Sequence, residues 1–226
     1  MPPVPASAIA TRLSAIRQRL EAACRRCGRA PESVQLIAVS KKQPVAAMAA
    51  AAAAGQQLFG ESYVQEFIDK QQQLDLPLEW HFIGALQSNK VKYLRGRTAL
   101  IHSVDRWSLA QEIDRQWGRI GQRARILLQV NLAGETSKAG VAPDQLSELA
   151  SQISTLAHVR LEGLMCLPPY AADPEQVRPW FRQLRQLAAT LQLEVLSMGM
   201  SHDFEVAIEE GATLIRVGTA LFGERD

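Results

Sequence analysis

The sequence predicts a closed (β/α)8 barrel carrying an additional N-terminal helix, and three observations point to it. Short apolar runs alternate with helical segments about eight times, with no linker or composition break between them. The chain has 226 residues, 47% of them hydrophobic, which suffices for a sizeable core but lies slightly below the usual barrel size of about 250, so loops must be short. Finally, no G-x-G-x-x-G opens the first crossover, which weakens the main alternative, an open doubly wound sheet.

The first element is a helix, because Ile9, Leu13, Ile16, Leu20 and Ala23 recur at helical spacing. Its arginines precede any acid before Glu21, as in a transit peptide, but the pattern runs directly into the first strand and fits a covering helix better. The next stretch, Val34 to Lys42, reads as a buried parallel strand ending in lysine, bounded by Pro31 and Pro44. Side chains alternate along a strand, so Lys41 shares a face with Val39, Ile37 and Gln35, while Lys42 points the other way. One of the two therefore faces inward at the C-terminal end of a strand, where α/β folds place their chemistry. A desolvated lysine there can attack a carbonyl and form a Schiff base; solvated loop lysines remain the plain alternative.

The remaining elements follow the same alternation. Pro44 to Gly55 is an alanine-rich helix, started by the proline and ended by the glycine. Strands are expected over Gln57–Gly60, Leu78–Gly84, Ala99–Val104, Arg125–Asn131, Val159–Cys166, Glu194–Met198 and Thr213–Val217. Helices are expected over Tyr63–Leu74, from Ser88, over Trp107–Trp117 with Asp105 or Ser103 near the cap, and over Asp144–Leu156, Pro174–Leu191 and Asp203–Glu210.

Composition excludes several functions. A net charge of +2 with scattered basic residues gives no case for nucleic acid. No apolar run approaches the roughly 20 residues that span a bilayer, so no membrane role is expected. Three cysteines do not suggest a disulfide framework, and a reducing cytoplasm fits best. Cys24 and Cys27 form a C-x-x-C pair, but it lies late in a helix, has no second pair and is not read as a metal or redox site.

Two loops near the C-terminus carry the other chemistry. Ser197-Met198-Gly199-Met200-Ser201 follows the seventh strand and Arg216-Val217-Gly218-Thr219-Ala220 the eighth. In this barrel those loops, with a short extra helix, commonly hold a phosphate. Gly199 and Gly218 allow close backbone approach, and Ser201 and Thr219 offer hydroxyls and amides near helix starts. A phosphate site opposite an inward lysine suits a phosphorylated aldehyde; a plain turn at Gly218-Thr219 is the alternative.

These stretches resemble the pyridoxal phosphate homeostasis protein family, whose barrel is similar to the alanine racemase N-terminal domain. The resemblance runs from the N-terminal helix to Gly223 through A-V-S-K (38–41), F-G-E (59–61), Y-V-Q-E (63–66) and W-H-F-I-G-A-L-Q-S-N-K (80–90). It continues through S-K-A-G (137–140), G-L-M (163–165), G-M-S (199–201) and R-V-G-T-A-L-F-G (216–223). It implies the fold of the fold-type III enzymes and bound pyridoxal 5'-phosphate. Lys41 matches the lysine carrying the cofactor as a Schiff base; Ser201, Gly218 and Thr219 match phosphate-binding positions; Arg216 matches the arginine facing the pyridine nitrogen. Ser62 stands where asparagine is common and Ala85 where proline is common. The resemblance makes the neighbourhood of His81 the cofactor mouth and raises a role for Lys138 in transfer, while Asn131 and Met165 are expected near the pocket.

The function implied is intracellular pyridoxal phosphate (vitamin B6) homeostasis, holding the cofactor and buffering or delivering it to apo-enzymes, in a cytoplasmic monomer. The alternative is a pyridoxal phosphate-dependent amino-acid racemase. Similar racemases add a tyrosine from a second domain; this chain reaches Asp226 just after the eighth unit, and Tyr63, Tyr93 and Tyr170 offer no obvious substitute. No catalytic turnover is therefore expected.

Overall fold

The computed structural model describes residues 4–135 and 139–224. Its strands are β1 (Gln35–Val39), β2 (Leu58–Glu61), β3 (Glu79–Phe82), β4 (Leu100–Val104), β5 (Ala124–Val130), β6 (Val159–Cys166), β7 (Val195–Met200) and β8 (Leu214–Val217). They close into a parallel barrel in chain order, with β1 pairing both β2 and β8. The helices are α1 (Ala6–Arg26), α2 (Val45–Ala53), α3 (Val64–Gln73), α4 (Trp107–Gly118), α5 (Leu146–Ser154), α6 (Arg178–Thr190), α7 (Phe204–Glu209) and α8 (Thr219–Phe222). The expected (β/α)8 barrel with an N-terminal helix is therefore what forms.

Each strand is buried on both faces, which is why the strands read as continuous apolar runs. In β1, Leu36 and Ala38 belong to the large outer core under the helices, whereas Ile37 faces the barrel axis. There it meets Leu58, Leu100, Leu127, Met165 and Leu214, one side chain from each of five other strands. This apolar layer plugs the barrel, so chemistry is confined to its ends and to polar residues at adjoining levels. On the outside, α1 buries Ile9, Leu13, Ile16, Leu20 and Ala23 and covers α2, α7 and α8. Each such Ile or Leu contributes roughly 1.5–3 kcal/mol.

Several local expectations are corrected. The first strand ends at Val39, not at the lysines: the Ser40 amide donates to the Gly60 carbonyl, and the Ser40 carbonyl accepts from Gln43 N–H, closing a turn. The segment from Ser88 is a 3-10 helix over Ser88–Tyr93, with Leu94 N–H donating to the Val91 carbonyl at its end. Pro143–Gln145 and Pro174–Val177 are also 3-10 turns, leading into α5 and α6. Arg106, rather than Asp105 or Ser103, occupies the cap position of α4 and makes no side-chain cap bond. No helix among the described residues is long and apolar enough to cross a membrane.

Candidate cofactor site

Alternation along β1 continues past its end. Ile37 faces the axis, and Lys41 lies an even number of residues further on. Lys41 accordingly lines a cavity of about 420 Å³ at the C-terminal mouth of the barrel, within the range usual for small-molecule sites. Lys42 leaves on the other side, lining an outer groove with Gln43, Val45 and Glu66. Its φ of 59° places it in the left-handed region, which is uncommon for a residue with a side chain. That reversal sends the chain into α2 and separates the two lysines between two faces.

The turn around Lys41 is braced from behind. Lys70 Nζ, on α3, donates to the Ser40 carbonyl at 2.6 Å and to Glu61 Oε1 and Glu66 Oε1 at 2.7 Å each. Ser40 Oγ donates to Glu61 Oε1 at 2.7 Å, and the Lys42 amide donates to Glu66 Oε1. Peptide groups on both sides of Lys41 are thereby held by one ionic cluster. Glu61 is fully buried; loss of water pushes its carboxyl up, against the opposing pull of Lys70. Sequence reading quoted Glu61 in a motif and passed over Lys70, because nothing local shows that a helix lysine packs inward.

The other cavity walls come from neighbouring strand ends: Ser62, Tyr63, Ile83, Gly84, Ala85, Gln129, Asn131 and Leu167 among them. Asn131 lies at the cavity as expected, whereas Met165 is in the apolar plug and does not line it. Ser62 and Ala85, the two departures from the resembled pattern, both face this space. Tyr63, which the sequence offered as no obvious substitute for a racemase tyrosine, lines it too, about half exposed. Gly84 is required by packing: a Cβ there would lie 2.1 Å from the Ser62 carbonyl oxygen. Lys138 lies outside the described residues.

Ser201, Gly218 and Thr219 gather on the exits of β7 and β8, with Arg216 inside β8, although none of the four lines the 420 Å³ cavity itself. Ser201 Oγ accepts from the Gly218 and Ala220 amides, at 3.2 Å each, tying the two loops together. Thr219, the first residue of α8, is exposed. Gly199, near the end of β7, adopts φ +90°, and a Cβ there would come within 2.6 Å of Ala207 Cβ, so only glycine permits this strand end to pack onto α7. Asp203 sits at the start of α7, but its carboxylate accepts from the Met200 amide at 2.6 Å instead of capping the helix. Glu205, in the first turn, pairs with Arg19.

Arg216 is the buried cation of the site. It is two residues beyond Leu214 of the axial plug and shares its face, and its register partner is Ile37. Its Nη1 donates to Ser197 Oγ at 2.5 Å and its Nη2 to the Cys166 carbonyl at 2.8 Å. Burial lowers its pKa, yet a guanidinium starting above 12 remains cationic at neutral pH. A guanidinium has five N–H groups, so two bonds leave donors for a further acceptor. His81 is interior but does not stand at the cofactor mouth as expected: it lines a cavity at the opposite end of the barrel with Gln35 and Glu79, and it is bonded to His102, a residue the sequence reading missed.

The residues fit pyridoxal phosphate in kind: an amine at the cavity, a cationic donor beside it, and amides with hydroxyls on the adjoining loops. Among the described residues no His, Cys, Asp and Glu cluster could hold a metal ion. Cys24 on α1 and Cys27 just past its end are free thiols, with Cys27 Sγ turned to the helix carbonyls of Ala23 and Cys24.

Comparison with known proteins agrees with the fold. The alanine racemase N-terminal domain family matches residues 11–226. A pyridoxal phosphate homeostasis protein of Aquifex aeolicus is 49% identical over 221 residues, covering 95% of this chain and 97% of that one. Another from Pseudomonas aeruginosa is 46% identical, covering 97% of both chains. The structure of PipY from Synechococcus elongatus with pyridoxal phosphate bound superposes with a TM-score of 0.84 at 44% identity, covering 95% of this chain and all of that one. Alanine racemase from Corynebacterium glutamicum shares the fold at 16% identity and a TM-score of 0.72; this chain accounts for 61% of its length. By sequence over nearly its whole length, and by fold, the chain belongs to the pyridoxal phosphate homeostasis protein family.

Proposed function

We propose that the protein binds pyridoxal 5'-phosphate at the C-terminal mouth of its barrel and serves intracellular pyridoxal phosphate homeostasis by holding and delivering it. The observation that carries this reading is the split between the two lysines: Lys41 lines the mouth cavity, while Lys42 is turned to the outer groove. Bound pyridoxal phosphate supplies an aldehyde for covalent attachment and an electron-accepting ring. Lys41 Nζ holds the aldehyde covalently, with the Glu61–Lys70–Glu66 cluster fixing the turn that presents it. Ser201, Gly218 and Thr219 hold the phosphate through hydroxyls and amides at the start of α8. Arg216 faces the ring nitrogen. A guanidinium parts with a proton too reluctantly to protonate that nitrogen, so the ring would remain a weaker electron sink.

Delivery to apo-enzymes that need the cofactor completes the proposed role, in a monomeric cytoplasmic protein. The test is borohydride reduction of the loaded protein followed by peptide mapping. The expected adduct is on Lys41, and Lys41→Ala should abolish it while leaving noncovalent binding. An adduct on Lys42 would overturn the assignment, and racemisation of amino acids at about 1 per second or faster would replace the carrier role by an enzymatic one.

A further inference from the structure

A line of polar side chains crosses the inside of the barrel, and beyond its first member none of it has a part in the proposed carrier chemistry. It begins at Arg216 on β8, whose Nη1 contacts Ser197 Oγ on β7 at 2.5 Å. Ser197 Oγ lies 2.8 Å from His102 Nδ1, reaching across the axis to β4. His102 Nε2 lies 2.9 Å from His81 Nδ1 on β3, and His81 Nε2 lies 3.1 Å from Glu79 Oε1. Arg216, Ser197, His102 and His81 are all buried, at 4%, 0%, 0% and 2% exposure, so water does not substitute for the bonds among these four. Glu79, by contrast, is half exposed and lines a second, smaller cavity of about 170 Å³ at the opposite end of the barrel, with Gln35, His81 and Arg125.

The chemistry of the two ends determines every proton between them. A guanidinium only donates, so Ser197 Oγ must accept from Arg216. The serine hydroxyl hydrogen is then available to His102 Nδ1; with both rings neutral, the carboxylate at the far end places the His102 proton on Nε2 and leaves Nδ1 bare. That N–H donates to His81 Nδ1, which must also be bare, leaving the His81 proton on Nε2. It ends on Glu79, an ionised carboxylate that only accepts. Both imidazoles are neutral in this arrangement, and burial, reinforced for His102 by Arg216, lowers the pKa of each. Glu79 is held below the usual carboxylate range, chiefly by its bond to His81.

We infer that His81, His102 and Ser197 form a one-way hydrogen-bond chain, donating from Arg216 to Glu79, that fixes the guanidinium of Arg216 in its ring-facing pose. Ser197 and His102 are thus positioning residues, acting on the cofactor through Arg216. The inference rests on the proposed function for its ring-facing half; the chain itself is a property of the cofactor-free protein. Fixing a buried cation in this way spares the site the cost of orienting it when a ligand arrives. It also ties the ring partner at one end of the barrel to a carboxylate at the other, through side chains that the strand period places in the interior.

The test begins with cofactor-free full-length protein labelled with 15N at histidine, whose tautomers are read from long-range 1H–15N correlations at neutral pH. His81 and His102, assigned by the loss of signals in His81→Gln and His102→Gln, should both be Nε2–H tautomers. A proton on Nδ1 of either ring, or a doubly protonated ring, would overturn the chain. The second arm measures affinity for pyridoxal phosphate and pyridoxal in wild type, Ser197→Ala and Ser197→Thr. Ser197→Ala should weaken both ligands about tenfold, as expected for one charge-assisted bond, with their ratio unchanged. Ser197→Thr, which keeps the hydroxyl, should restore affinity. Unchanged affinity in a folded Ser197→Ala protein would overturn the positioning role. If wild type binds no pyridoxal phosphate, the proposed function and the ring-facing half fall together, whereas the tautomers decide the chain independently.

Discussion

Removing Lys70 tests the brace behind Lys41. In Lys70→Met, Glu61 loses its cation inside a fully buried site and the Ser40 carbonyl loses its donor. Breaking a buried ion pair by deleting one partner costs about 3–5 kcal/mol, because the remaining charge is left uncompensated. That is a large share of the roughly 5–15 kcal/mol that stabilises a typical domain. Urea unfolding followed by tryptophan fluorescence is a suitable assay, since Trp80 packs edge-on against Phe67 of α3. With m of about 2.5–3 kcal/mol/M, the midpoint should fall by about 1–2 M. The loss should also depend on pH. Burial already raises the Glu61 pKa, and deleting Lys70 removes the principal opposing attraction, so it rises further. A carboxyl whose folded pKa exceeds its unfolded one stabilises the fold fully below the unfolded pKa, and that contribution is lost as pH rises through the folded pKa. The deficit of Lys70→Met should therefore shrink as pH is lowered from neutrality toward the ordinary carboxylate range. Lys70→Met combined with Glu61→Gln should recover about 2 kcal/mol or more at neutral pH, since no charge is stranded. A single-variant loss below about 1 kcal/mol, the level of an exposed ion pair, would refute the reasoning, as would a loss independent of pH.

Three other outcomes are expected. Thr219→Val should lower pyridoxal phosphate affinity about ten- to hundredfold by fluorescence titration if its hydroxyl bonds the phosphate, and leave pyridoxal affinity nearly unchanged. Gly199→Ala should cost about 2–4 kcal/mol in chemical denaturation, because it combines a left-handed backbone with a 2.6 Å approach to Ala207 Cβ; a neutral effect would show that the strand end has another conformation. Ellman's reagent should modify Cys27 first in the native protein: Cys24 and Cys166 are buried, and burial pushes the Cys166 thiol up to about 12. Rapid reaction of all three thiols without denaturant would contradict that packing.

The barrel was legible in the sequence because its signals are local. A strand buried on both faces must be apolar at consecutive positions, as Leu36, Ile37, Ala38 and Val39 are, and the helices between strands show their own period. The inward direction of Lys41 also follows from local geometry, since alternation from Ile37 needs no knowledge of the rest of the chain. Termini of elements were less legible. The end of β1 at Val39 and the 3-10 form of Ser88–Tyr93 depend on hydrogen bonds to or within turns, which composition does not specify. The ends of β7 and β8 announced themselves through glycine, but Ser197 to Met200 belong to β7 itself and Arg216 and Val217 to β8, not to the loops after them, because their backbones still pair with the neighbouring strands.

What tertiary structure alone decided is the polar interior. Lys70 is one of several polar residues on α3, and nothing in its neighbours says that it is buried against Ser40 and Glu61. His102 and Ser197 are 95 positions apart and meet only because β4 and β7 face each other across a closed barrel. The sequence by itself determined which residues must be buried, because the cost of exposing apolar surface is paid residue by residue. It could not say which buried polar groups satisfy one another: that depends on distances set by barrel closure, and a buried donor is stable only where the fold brings it an acceptor.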